Sequence, residues 1–126
     1  MLKSTRDQLA VDVAVESLHL AGQLNLRVQG TSMLPTVRPG TVATIQHMDP
    51  AGILPGEIAL TRTSAGLRLH RVVRVLRAPD GLTFITRGDN HQHADPPVAA
   101  SNVLGKLVTS SKPSLVTRLL RRMKAA

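Results

Sequence analysis

The sequence has no cysteine, no tryptophan and no tyrosine, and Phe84 is its one aromatic residue. Without cysteine there are no disulfides, no thiolate metal sites and no cysteine nucleophile, whatever the compartment. Without aromatics there is no platform on which the bases of a single strand could stack. The core must be built from Val, Leu, Ile, Ala and Met. No stretch reaches the roughly 18 apolar residues that a membrane span requires. The most apolar early segment, residues 9–21, is interrupted by Asp12, Glu16 and His19, unlike a secretory signal. A soluble cytoplasmic chain is therefore expected. Acidic residues are also scarce: 8 against 16 Lys and Arg, a net charge of +8. That excess favours acidic partners such as nucleic acid, anionic lipid or an acidic peptide, without choosing among them.

What is present fits a folded protein. A chain of 126 residues with 42% hydrophobic content is the size of one domain with a modest core. Residues 4–21 read as a helix within an N-terminal segment 1–22. Ser4 and Asp7 have capping-box spacing, Val11, Ala14, Val15, Leu18 and Ala21 share a face, and Gly22 is placed to end it. From 24 to 109 the pattern is of short strands. Leu24, Leu26 and Val28 alternate with polar residues, and 42–46, 57–62, 67–76, 82–87 and 103–109 are further strands. Pro39-Gly40, Pro55-Gly56, Ser64-Ala65-Gly66, Pro79-Asp80-Gly81 and Gly88-Asp89-Asn90 supply turns, with Asp80-Gly81 marking a hairpin. Residues 113–124 read as a second helix, with Pro113 in its first turn. Leu115, Val116, Leu119, Leu120 and Met123 form its apolar face and Arg118, Arg121, Arg122 and Lys124 its basic one. The fold expected is mainly β (α+β): a compact, partly coiled antiparallel sheet with a helix at each end, in one domain. The basic helix is expected to pack on that domain, contact with an anionic membrane surface being the alternative.

The first stretch with chemical content is Val28-Gln29-Gly30-Thr31-Ser32-Met33-Leu34-Pro35-Thr36. A strand ends, a glycine allows an unusual turn and a serine follows at once. Pro35 restricts Leu34. Such a turn presents a hydroxyl with its own N–H free to stabilise an oxyanion. Alone, it would pass as an ordinary connection. Further blocks follow in order: Gly56-Glu57-Ile58-Ala59-Leu60, then Leu67-Arg68-Leu69-His70-Arg71-Val72-Val73, then Ile85-Thr86-Arg87-Gly88-Asp89-Asn90, then Asn102-Val103-Leu104-Gly105-Lys106-Leu107.

Over residues 27–108 this series resembles the boxes of the type I signal peptidases and of LexA-like repressors, which share a catalytic β domain. The family carries a G-x-S-M-x-P-T box, a G-D-I-V strand, a strand with the general base, a G-D-N box and a closing I-x-G-x-V strand. The resemblance implies a serine endopeptidase that cuts a peptide or precursor after a small residue, with no cofactor and no metal. Ser32 matches the nucleophile. His70 stands where many relatives have lysine, as in the histidine form of the endoplasmic-reticulum and archaeal enzymes. Asp95, six residues beyond Asp89, has the spacing of the assisting acid in that form, and Asp89 matches the structural aspartate. Gly30, Thr31 and the Ser32 N–H fall at the oxyanion side, and Met33 and Pro35 beside the substrate. The chemistry is consistent: serine needs a base to take its proton, a neutral imidazole serves at neutral pH, and a carboxylate fixes its tautomer.

There are departures. Gly30 stands where many signal peptidases have a serine whose hydroxyl helps bind the oxyanion. Gly40-Thr41 replaces Gly-Asp, Glu57 replaces Asp, and the N-terminal membrane anchor has no counterpart in this sequence. Two other readings therefore stay open: a weakly active or inactive relative that binds peptides in the cleft, and a LexA-like regulator that cuts itself at Ala21-Gly22. The first 22 residues are too few for a helix-turn-helix, so nucleic acid is not the expected partner. Strand alternation leaves His70 undecided, because Arg68, His70 and Val72 share one face and Leu67, Leu69 and Arg71 the other. His91 and His93, with Asp89 and Asp95, could form a metal cluster, but the box loop already accounts for that stretch.

Overall fold

The computed structural model describes residues 5–111, with side chains from residue 8 onward. The expected helix at 113–124 and the Ser4 cap lie outside that range. The chain opens with α1 (Thr5–Ala21), followed by β1 (Gln23–Arg27), β2 (Val42–His47), β3 (Ile58–Thr63), β4 (Gly66–Ala78), β5 (Gly81–Arg87), β6 (Val98–Ala99) and β7 (Val103–Ser111). The seven strands form one sheet in the order β1-β2-β7-β3-β4-β5-β6, and every neighbouring pair is antiparallel. The described residues are thus mainly β, as the strand pattern led us to expect, with one α-helix among them.

Amphipathic spacing explains how α1 is held. Val11, Ala14 and Leu18 are buried and Val15 is half-buried, whereas Ala21, expected on the same face, is exposed. The helix stops one residue later, where the Gly22 N–H donates to the Leu18 carbonyl at 2.8 Å, so Ala21 lies beyond the packed turn. Leu18 joins Ala43, Ile45, Leu60 and Leu104 in one apolar cluster. Ile53, Ala59, Val72, Phe84, Val98 and Val103 form a second.

Some boundaries differ from expectation. The β4–β5 hairpin turns at Pro79-Asp80, because Ala78 pairs with Gly81; the expected turn lay one residue further on. The sheet also gains β6, whose Val98 and Ala99 pair with Phe84 and Thr83. Two residues after a Pro-Pro pair carry no readable alternation. A register shift between Val72 and Arg74 interrupts the β4–β5 ladder, and such a bulge lets a long strand bend while keeping its partners.

Positioning of the site rests on a third cluster, Met33, Val37 and Ile58. The Val37 N–H donates to the Met33 carbonyl at 2.9 Å, closing a turn directly after Ser32. Met33, 2% exposed, anchors the serine loop in the core.

Phe84 is fully buried, whereas Leu20 is 77% exposed. Phe84→Ala is expected to lower stability by about 3–5 kcal/mol in urea unfolding. Leu20→Ala is expected to change it by no more than about 0.5 kcal/mol.

Candidate active site

The loop that carries Ser32 leaves β1 through Gly30, whose φ is +75°. A Cβ at Gly30 would meet nothing within 4 Å, so the requirement is conformational: this left-handed backbone strains any residue with a side chain. Beyond the turn, Asn90 clamps the loop. Its N–H donates to the Ser32 carbonyl at 2.9 Å, and its side-chain amide donates to the Thr31 carbonyl at 3.1 Å. The Ser32 N–H donates to no acceptor among the described residues.

His70 lies on β4 opposite Ala59 of β3 and is 4% exposed. Its Nε2 is 3.1 Å from Ser32 Oγ, and its Nδ1 is 2.6 Å from Asp95 Oδ2. An ionised carboxylate can only accept, so the proton of that short bond sits on Nδ1 and Nε2 offers its lone pair to the serine hydroxyl. The Thr86 hydroxyl donates to the same Asp95 oxygen at 2.7 Å, and Arg68 lies 3.6 Å from the other. Burial alone would raise the Asp95 pKa, but the hydrogen bonds from His70 and Thr86, with positive charge nearby, hold it below the usual carboxylate range. The Asp95 N–H donates to the Thr86 carbonyl at 2.8 Å, which pins the backbone that delivers the carboxylate.

Asp89 has a different surrounding. Arg71 binds it in a fork, Nε to Oδ1 at 2.8 Å and Nη2 to Oδ2 at 2.7 Å, while Thr36 donates to Oδ2 at 2.6 Å. The Arg71 guanidinium lowers the Asp89 pKa, and the Thr36 hydroxyl adds to the effect against the opposing cost of burial. Arg71 also donates to the Gly56 carbonyl at 2.7 Å. The Asp89 N–H points at Met33 Sδ, 3.4 Å away. Asp89 therefore ties β4, the serine loop and the 88–90 turn together, and it does not touch Ser32 or His70.

Between these groups sits Gly88. A Cβ there would lie 2.7 Å from the Ser32 carbonyl, 3.0 Å from His91 Nδ1 and 3.1 Å from His70 Nε2. The dyad can close only over a residue without a side chain.

Ser32, His70 and Asp95 open onto a cleft of about 490 Å³ whose wall includes Ala10, Leu26, Leu67 and Leu69. Met33 contributes to this wall, whereas Pro35, expected beside the substrate, is exposed and lies outside it. Thr31 is exposed. The metal grouping considered from sequence is divided: Asp89 is committed to Arg71, and one donor atom each of His70, His91 and Asp95 lies within 4.8 Å of the other two. Thr86, Gly88, Arg68 and Ala10 were not anticipated at the site. A signal for Thr86 existed, since it shares the inward side of β5 with Phe84 and both are fully buried; a threonine there needs a buried partner. No family model matches this chain, and no curated protein matches it.

Gly88→Ala is expected to leave the fold in place by circular dichroism but to break the alignment of Ser32 with His70, reducing any serine-dependent activity about a hundredfold. Asp89 makes a second measurement. Its folded pKa is depressed, so its contribution to stability is full above the unfolded value of about 3.9 and is lost as pH falls through the folded value. Wild type is therefore expected to lose more stability between about pH 5 and pH 2 than Asp89→Asn, read by urea midpoints across that range.

Proposed function

We propose that this protein is a serine endopeptidase of the signal peptidase kind, cutting a peptide or precursor protein after a small residue. The single observation that carries the reading is the continuous chain Ser32 Oγ, His70 Nε2, His70 Nδ1, Asp95 Oδ2, with contacts of 3.1 and 2.6 Å. In this reading Ser32 attacks the scissile carbonyl and His70 takes its proton. His70 then returns that proton to the leaving amine, and water repeats the cycle to release the acyl group. Asp95 holds the Nδ1–H tautomer and stabilises the imidazolium. The Ser32 N–H, fixed by Gly30 and Asn90, faces the developing oxyanion.

Substrate preference follows from the wall. Ala10, Leu26, Leu67 and Leu69 favour apolar side chains on an extended peptide. A small residue at the cut is what the resemblance to signal peptidases implies. Self-cleavage at Ala21-Gly22 is disfavoured, since that peptide is part of a helix end: the Gly22 N–H is bonded to Leu18 and its carbonyl accepts from His47. Retention of the cleft for peptide binding alone would give the aligned Ser32–His70–Asp95 chain no task.

The test is mass spectrometry of a peptide library rich in Ala, Ser and Gly, incubated with wild type, Ser32→Ala, His70→Ala and Asp95→Asn. Wild type is expected to cleave at defined bonds, and each variant to lose on the order of 10³-fold or more in kcat/KM. Cleavage that persists in Ser32→Ala would overturn the mechanism. Saturable binding of the same peptides with no cleavage by wild type would favour the peptide-binding alternative.

A further inference from the structure

A histidine that serves as a base and a histidine that serves as a metal ligand need the same preparation. In both, one ring nitrogen donates its proton to a carboxylate and the other turns an oriented lone pair outward. His70 meets this condition: Nδ1 is held by Asp95 at 2.6 Å, and Asp95 is itself fixed by Thr86 at 2.7 Å. A zinc ion needs at least one more nitrogen close by.

His91 supplies it. The His91 N–H donates to the Gly88 carbonyl at 2.9 Å, and this turn sets the ring edge-on to His70, with centroids 5.4 Å apart and planes at 87°. His91 Nδ1 and His70 Nε2 lie 3.0 and 3.1 Å from the point where a side chain of residue 88 would begin. That point is one covalent bond from the Gly88 Cα and cannot hold an ion, which would lie instead between the two rings, where a nitrogen of one is within 4.8 Å of a nitrogen of the other. His91 is exposed, so its ring is free to turn and bring both nitrogens to the 2.0–2.1 Å of a zinc bond. The Ser32 hydroxyl, 3.1 Å from Nε2, borders the same space, and water can complete the coordination. Asp95 is engaged by Nδ1–H and Thr86 and acts through His70 rather than on the ion.

We propose that His70 and His91 form a binding site for zinc, and that the bound ion switches the peptidase off reversibly. The ion takes the lone pair that would otherwise accept the Ser32 proton, so metal binding and proton abstraction exclude each other. No covalent bond changes, and chelation restores the free base. The inhibitory consequence rests on the peptidase reading above, while the site itself does not.

Calorimetric titration of Zn²⁺ into Ser32→Ala tests the site without reference to activity. One ion per chain is expected, with the dissociation constant raised about tenfold or more in Ser32→Ala/His91→Asn and in Ser32→Ala/His70→Asn. Ser32→Ala/His93→Asn is expected to bind like Ser32→Ala. Absence of saturable binding would overturn the proposal. So would binding that survives loss of His91 and disappears with His19→Asn, which would place the ion at the surface pair His19 and His47, whose rings are 6.5 Å apart. Wild-type cleavage is then assayed with Zn²⁺ and with Zn²⁺ followed by chelator. Cleavage that zinc leaves untouched would overturn the switch. Zinc bound through His70 and His91 by a chain that never cleaves would leave the site standing and the peptidase reading failed.

Discussion

A hydrogen bond between a buried imidazole and a carboxylate 25 residues further along the chain is the constraint on which the rest of this structure depends. His70 is almost wholly enclosed, and a buried polar ring is costly unless both nitrogens find partners. Asp95 satisfies one side and Ser32 the other. Asp95 in turn is buried enough to need donors of its own, which Thr86 and the imidazole provide. Among the described residues no buried side-chain nitrogen or oxygen lacks a partner. In such a network, loss of one member leaves another unsatisfied and costs more than the bond itself was worth.

The three groups arrive from three places: a loop after β1, the middle of β4 and the segment after β5. What joins them lies mostly outside the Ser32–His70–Asp95 chain. Asp89 with its Arg71 fork links the 88–90 turn to β4, and Thr36 brings the serine loop to the same carboxylate. Met33 plugs the loop into the apolar core, and Asn90 bonds the carbonyls on both sides of the Ser32 N–H. The arginine fork has directional geometry that a lysine could not reproduce. Fixing the chain at these points beforehand is what makes a 3.1 Å contact between Ser32 and His70 a standing arrangement rather than a rare encounter.

Much of this was legible in the sequence, and for stated reasons. Turn residues and period-two alternation placed six of the seven strands, because antiparallel strands with one covered face impose that pattern. Ser32, His70 and Asp95 could be singled out because a glycine turn, a strand and an acidic loop occur in the order of known peptidase boxes. Alternation alone could not decide His70, since Arg68 and Val72 share its face and only its place opposite Ala59 and beside the cleft tells a buried imidazole from a solvated one. β6 was beyond reach because two residues define no period. Gly88 was read as a turn residue. Its real constraint, the nearness of Ser32, His70 and His91, is a tertiary contact that no local pattern records. Pro35, close to Ser32 in sequence, does not line the cleft, because closeness along the chain does not set which way a loop residue faces.

The basic run on β4 also changes meaning once folded. In sequence Arg68, Arg71 and Arg74 look like a solvated basic run. Arg71 is instead spent internally on Asp89 and Gly56. Arg68 stands 3.6 Å from Asp95, too far for a strong hydrogen bond yet near enough to favour its charge. That placement bears on mechanism. With Arg68, Thr86 and the imidazole N–H all stabilising the anion, Asp95 is held in its ionised form. On the proposed peptidase reading, the proton withdrawn from Ser32 would therefore stay on His70, where the leaving amine could collect it, and the carboxylate would work by orienting the ring and by its field.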